Sequence, residues 1–166
     1  GIGSLVAKVG AAFGMDLVCW SPNMTKERAN AVGCEFLPLE TVLQTSKIVS
    51  LHLVAGERTK GLMHQDRLAM MRNDSLLVNT SRSSLIVTED LIAALKRGRP
   101  GQAALDVFDQ EPLPKDSELH RIPNLLMTPH LGFVAEPIFK TFATGLVDTL
   151  DAWLHGKPVP MPFPSN

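Results

Sequence analysis

The sequence predicts an α/β protein built on a doubly wound parallel sheet. Three observations carry that prediction. Short apolar runs alternate with helix-patterned segments along almost the whole chain. The runs are apolar throughout, with little polar alternation, as in strands covered on both faces. The chain also opens on a glycine turn, Gly1 and Gly3, that feeds directly into a helical pattern. Such a turn cradles a phosphate at a helix start.

The elements follow in order. Leu5, Val6, Val9, Ala12 and Phe13 recur at helical spacing and predict the first helix. "MDLVCW" reads as a strand, "TKERANAV" as a polar helix and "CEFL" as a short strand. "LETVLQT" is helical, "KIVSLHL" is a strand rich in Val, Ile and Leu, "QDRLAMM" is a helix and "SLLVNTS" a buried strand. "TEDLIAALKRG" starts at Thr88, a residue type that caps helix starts, and ends at Gly98, the type that stops them. "GQAALDVF" and "NLLMTPH" are two more apolar strands. A long amphipathic helix is predicted over 134–155. The tail "GKPVPMPFPSN", with proline at every second residue, is predicted to be extended.

The bulk composition bounds the function. The chain has 166 residues, 45% hydrophobic and 20% charged, with a net charge of −1. That is an ordinary globular composition, long enough for one sizeable core. It carries no basic field for nucleic acid or an anionic membrane, and no apolar stretch of spanning length. Neither Cys19 nor Cys34 belongs to a metal-ligand pattern. Both read as reduced thiols, which fits a cytoplasmic protein with no metal site.

In a parallel sheet, ligands bind beyond the carboxyl ends of the strands. The stretches to inspect are 21–23, 52–59, 79–83, 106–111 and 129–133. At the glycine turn, a complete G-x-G-x-x-G fingerprint needs a third glycine, and Val6 stands there. After the strand "MDLVCW" a dinucleotide site usually places a carboxylate on the adenosine ribose. Here Ser21 stands near that place, with Lys26 and Arg28 a few residues on. NAD and NADP both remain open as cofactor, with weak discrimination between them expected.

Taken together, "GIGSL", "VAKVGAAFGM", "IVSLHLVAGERTKGLM", "LLVNTSRSSLIVTEDLIAALKRG", "AALDVFDQEPLP" and "NLLMTPHLGF" resemble the D-isomer-specific 2-hydroxyacid dehydrogenases. The resemblance is to their Rossmann-like nucleotide-binding half. It implies that the strand entering Gly1 and a preceding substrate lobe are absent from this sequence. It divides the chain into a nucleotide-binding domain over 1–133 and, over 134–166, a helix and tail that would return toward that lobe. Where the family pattern reads GxGxLGxxVAKxGxAFGM, this chain reads "GIGSLVAKVGAAFGM" and skips three residues after Leu5, the third glycine among them.

Keto-acid reduction needs a cation for the carboxylate, a proton donor for the carbonyl oxygen, and a group that keeps the donor charged. Arg82 in "NTSR", His130 in "TPHLG" and Glu111 in "DQEP" suit these roles, and the resemblance assigns them in that order. It further implies that Asp106 meets the nicotinamide carboxamide. Gly1, Gly3, Ser4, Leu5, Ser21, Leu53, Thr80, Ser81 and Gly132, together with Arg82 and His130, would line the cofactor. The residue after the arginine is commonly Gly in the family and is Ser83 here. If that position needs positive φ, Ser83 carries a strain of about 1 kcal/mol. His52, His64, His120 and His155 read as structural, with His52 nearest the expected cofactor.

The leading expectation is an NAD(P)-dependent oxidoreductase of D-2-hydroxy acids, dimeric like the family when complete. A nucleotide-sensing, corepressor-like binding module is the alternative from another class. A truncated, non-catalytic dehydrogenase piece is the third reading, and for the isolated chain inactivity is expected.

Overall fold

A computed structural model of the chain describes residues 1–159. The described residues fall into two compact units, Gly1–Pro129 and a second that begins at His130. Among the described residues no helix is long and apolar enough to cross a membrane, and no cluster of His, Cys, Asp or Glu could hold a metal ion.

The first unit alternates helix and strand. Helix α1 (Ile2–Ala12) leads to β1 (Val18–Cys19), α2 (Lys26–Asn30), β2 (Glu35–Phe36) and α3 (Leu39–Thr45). Then come β3 (Ile48–Leu51), α4 (Gln65–Met70), β4 (Leu76–Asn79), α5 (Thr88–Lys96), β5 (Gln102–Leu105) and β6 (Leu125–Met127). The strands form two parallel sheets. One pairs β1 with β2, and the other has the order β3-β4-β5-β6. Strands β1 and β3 do not pair with each other, so the two sheets are separate.

Register explains the core. Val49, Leu77 and Ala103 lie in one row across β3, β4 and β5, and Leu51, Asn79 and Leu105 in the next. All six are buried. Their side chains share one face with Leu43, Leu68, Met71, Leu91 and Leu95 from the helical segments beneath. The opposite face is only partly covered: Ile48 is 50% exposed and Leu126 67%. Gly101 sets the approach of β5 to the turn before β4, because a Cβ there would lie 2.2 Å from the Asn73 carbonyl oxygen.

Three local features stand apart from the sequence pattern. The apolar stripe of α1 is not packed: Leu5, Val9 and Phe13 are exposed and only Gly10 is buried. Thr88 does not cap α5. Val87 holds the cap position, and the Thr88 hydroxyl donates instead to Asp109 Oδ2, 2.6 Å away. Ser83 carries no left-handed strain, because it opens a 3₁₀ turn, Ser83–Leu85, with ordinary φ.

The second unit consists of a 3₁₀ turn, Leu131–Phe133, and the long helix α6 (Glu136–Leu154), two residues shorter at its start and one at its end than the sequence pattern suggests. Pro137 sits in its first turn, where a missing N–H costs nothing. Phe142, Leu146, Leu150 and Trp153 are exposed along it. The expectation of an extended tail falls largely on residues 160–166, outside the described residues.

Candidate functional site

The carboxyl ends of β3 to β6 form one row. Leu51, Asn79, Leu105 and Met127 are in register. The next residues on the chain, His52, Thr80, Asp106 and Thr128, therefore mark a common edge.

That edge is tied together by side chains that end up buried between strands. Asn79 is fully buried. Its Nδ2 donates to the Arg82 carbonyl at 2.9 Å, and its Oδ1 accepts from the Ser81 N–H at 3.1 Å. Its own carbonyl accepts from the Asp106 N–H at 3.0 Å. Ser81 Oγ donates to the Leu53 carbonyl at 3.0 Å, which joins the loop after β4 to the loop after β3. Asp106 is buried and accepts from the Thr128 hydroxyl, which links β5 to β6. Leu53, Thr80, Ser81, Arg82 and Asp106 are thus brought to one edge. Sequence reading missed the organising role of Asn79. Its signal was a lone amide ending an otherwise apolar strand, a position where an unpartnered polar group is costly.

Arg82 is exposed, and Nη1 donates to the Ser81 carbonyl at 2.6 Å. Glu111 lies in the loop after β5, where Oε1 accepts from the Phe108 N–H at 2.9 Å. A cleft at this edge is lined by Asn79, Ser83, Thr88, Leu105, Phe108 and Asp109.

The glycine turn is at the start of α1. Gly1 is the N-cap, no side chain caps the helix and no acid lies in its first turn. Its first N–H groups therefore remain available to an anion. A Cβ at Gly3 would lie 3.2 Å from His52 Cβ, so glycine keeps this approach open. Nothing lies within 4 Å of the Cβ position at Gly1. Ser4 is half-buried and Leu5 exposed along the same turn. This cradle fits a pyrophosphate even though Val6 replaces the third glycine. The close approach between helix and strand falls instead on Gly10, whose Cβ would meet Leu17 Cδ2 at 2.9 Å.

His52 is half-buried, and burial holds its imidazole below the ordinary value. Its Nε2 lies 2.9 Å from Ser50 Oγ. Beyond β1, Ser21 is half-buried and its carbonyl accepts from the Met24 N–H at 3.1 Å. Cys19 and Cys34 are free thiols. Burial, with the Cys34 thiol beside it, pushes the Cys19 thiol up.

In the second unit, His130 has φ 54° and ψ 49°, and it is the one non-glycine residue with positive φ among those described. A conformation that costs of order 1 kcal/mol or more persists where the surroundings impose it, and such residues cluster at functional sites. The His130 ring meets Phe133 edge-on, with centroids 5.2 Å apart and planes at 85°. Gly132 lies in the 3₁₀ turn between them.

Comparison with known proteins agrees with this architecture. Residues 1–132 match the D-isomer specific 2-hydroxyacid dehydrogenase NAD binding domain. A glyoxylate reductase of Aeropyrum pernix is 35% identical over 159 residues, covering 96% of this chain and 48% of that protein. A D-3-phosphoglycerate dehydrogenase of Synechocystis is 35% identical over 157 residues, covering 95% of this chain and 28% of its own length. The crystal structure of a D-isomer specific 2-hydroxyacid dehydrogenase from Xanthobacter autotrophicus superposes with a TM-score of 0.83 at 34% identity, over 95% of this chain and 52% of the other. That of the Aquifex aeolicus D-lactate dehydrogenase, complexed with NAD and lactic acid, gives 0.79 at 26% identity, over 93% and 51%. The chain therefore spans about half the length of these relatives or less. With its parallel sheet, its glycine turn and a match over 1–132, the chain belongs to the D-isomer-specific 2-hydroxyacid dehydrogenase family, as a bearer of its NAD-binding domain.

Proposed function

We propose that this domain holds a nicotinamide dinucleotide along the carboxyl edge of its sheet and serves the oxidation of D-2-hydroxy acids, or the reverse reduction of 2-keto acids. One observation carries the reading. Arg82, Glu111 and His130 follow three successive strands, β4, β5 and β6, in a chain whose residues 1–132 match the NAD-binding domain of this family.

A bound nicotinamide supplies the hydride chemistry. The chain's residues do the rest. The Gly1–Gly3 turn presents backbone N–H groups to the pyrophosphate. Ser21 borders the adenosine ribose, and Ser4, Leu5, Leu53, Thr80, Ser81 and Gly132 line the remainder. Asp106 orients the carboxamide. Arg82 grips the substrate carboxylate with its planar fork and polarises the neighbouring carbonyl. His130 gives a proton to the carbonyl oxygen during reduction and takes it back during oxidation. Glu111 orients the imidazole. The substrate is a small 2-hydroxy or 2-keto acid and not a nucleic acid or membrane. A second copy of the chain is the expected partner. Unbridged Cys19 and Cys34 support a cytoplasmic setting.

The test is the turnover of glyoxylate and hydroxypyruvate by the full-length protein that carries this chain, as wild type, Glu111→Gln, His130→Ala and Arg82→Lys. Turnover should fall about 10²–10⁴-fold in His130→Ala. Turnover should fall less in Glu111→Gln, whose amide oxygen can still accept from the imidazole N–H. The Michaelis constant should rise in Arg82→Lys. Near-normal turnover in both His130→Ala and Glu111→Gln would overturn the assignment. Nucleotide binding without any turnover in the full-length protein would favour the nucleotide-sensing module.

A further inference from the structure

We propose that Arg58 and Arg28 form a phosphate-reading pair beside the loop that follows β1, so that the chain prefers an adenosine ribose carrying a 2′-phosphate over one with a free 2′-hydroxyl. The inference rests on the nucleotide-binding reading above and deepens it.

The free hydroxyl normally needs a carboxylate acceptor at this loop, and that same carboxylate repels a 2′-phosphate. No Asp or Glu occurs between Asp16 and Glu27. Two cations meet there instead, from different parts of the chain. Arg28, on α2, donates through Nη1 to the Asn23 carbonyl at 2.6 Å. Arg58, in the loop after β3, donates through Nη2 to Asn23 Oδ1 at 3.2 Å and to the Pro22 carbonyl at 3.4 Å. Of the pair, only Arg28 is visible from local sequence, because Arg58 stands 35 residues from Asn23, and adding Arg58 turns the weak discrimination expected from sequence into a preference.

Every partner of these two guanidiniums is a neutral carbonyl or amide oxygen. Among the described residues, neither approaches a carboxylate within 4 Å. Glu27 and Glu57 are their sequence neighbours, and both are exposed without bridging them. A guanidinium has five N–H donors, so most remain to be used. Two cations gathered on one short loop repel each other, and an anion between them relieves that cost. A phosphomonoester carries about −1.5 to −2 charge at pH 7 and three acceptor oxygens, which suits two forks approaching from different sides. Because Arg28 and Arg58 are exposed, the attraction is screened by salt.

The experiment titrates the 166-residue chain calorimetrically with adenosine 2′,5′-bisphosphate, adenosine 5′-monophosphate and inorganic phosphate. The bisphosphate should bind about tenfold or more tightly than the monophosphate. The gap should narrow as salt rises, shrink in both Arg58→Gln and Arg28→Gln, and survive in part in Arg58→Lys, which keeps the charge and loses the fork. Equal affinity for the two nucleotides, or an unchanged gap in Arg58→Gln, overturns the preference alone and leaves the nucleotide site standing. Inorganic phosphate binding as tightly as the bisphosphate overturns it as well, since the anion alone would then be read. Failure of both nucleotides to bind overturns this inference and the nucleotide-binding function together.

Discussion

Replacing Asn79 probes how the loop that presents Arg82 is held. Asn79 ends β4 with its side chain fully buried and both ends of its amide in use. Asn79→Ala removes two hydrogen bonds and leaves the Ser81 N–H and Arg82 carbonyl without their partner. Each bond is worth about 1 kcal/mol net, and the vacated space adds to that, so the expected loss is about 2–3 kcal/mol. For a chain of this length that lowers the melting temperature by roughly 4–12 °C. Asn79→Asp is the sharper variant. It keeps the acceptor for Ser81 but turns an oxygen toward the Arg82 carbonyl, where only a protonated carboxyl can donate. Burial and that facing carbonyl raise its folded pKa above the ordinary value of about 3.9. The unfolded chain then gives up this proton more readily than the folded one. The variant's stability is best preserved below about pH 3.9 and falls as pH rises through the window above it. Urea denaturation at pH 4.5 and pH 8 reads both effects. A loss under 0.5 kcal/mol in Asn79→Ala, or an Asn79→Asp deficit that is no larger at pH 8 than at pH 4.5, would refute the role given to this amide.

Two further perturbations follow from the packing. Gly101→Ala drives a Cβ to 2.2 Å from a backbone carbonyl that cannot swing aside, so it should cost about 3 kcal/mol or more by urea denaturation. Gly98→Ala, strained only by its φ of 70° with nothing near its Cβ, should cost about 1 kcal/mol. The His52 ring, held neutral by burial, should titrate below 6.5 in an NMR pH series. A lowered histidine pKa makes stability rise with pH through the window below 6.5 and be lost as pH falls through it. His52→Asn should flatten that slope, and a ring titrating at or above 6.5 would contradict the account.

Much of the fold was legible in the residues alone. Apolar runs such as "KIVSLHL" and "SLLVNTS" became β3 and β4 because a strand covered by other layers needs continuous apolar character. "LETVLQT" became α3 over the same residues. Parallel pairing also followed, since each strand is separated from the next by a crossover segment too long for a hairpin. Strand ends then located the edge where Leu53, Thr80, Ser81, Arg82 and Asp106 stand.

Other features depend on partners far away along the chain, which no local pattern contains. The α1 stripe has the right helical period, yet Leu5, Val9 and Phe13 stay exposed, because period sets which residues share a face and not what covers that face. Thr88 has a capping side chain, but Asp109, 21 residues on, takes its hydroxyl. The left-handed residue is His130 and not Ser83, because backbone conformation in a loop answers to its tertiary anchors more than to its own residue type. Asn79 and Arg58 acquire their roles only from the oxygens and N–H groups that folding places beside them. The sequence by itself determined the strand and helix order, the parallel sheet and the residue types gathered at its edge, because periodicity and composition are local. Only the tertiary structure decided which polar atoms meet there, because a hydrogen bond or an ion site is a distance between residues that the chain order does not specify.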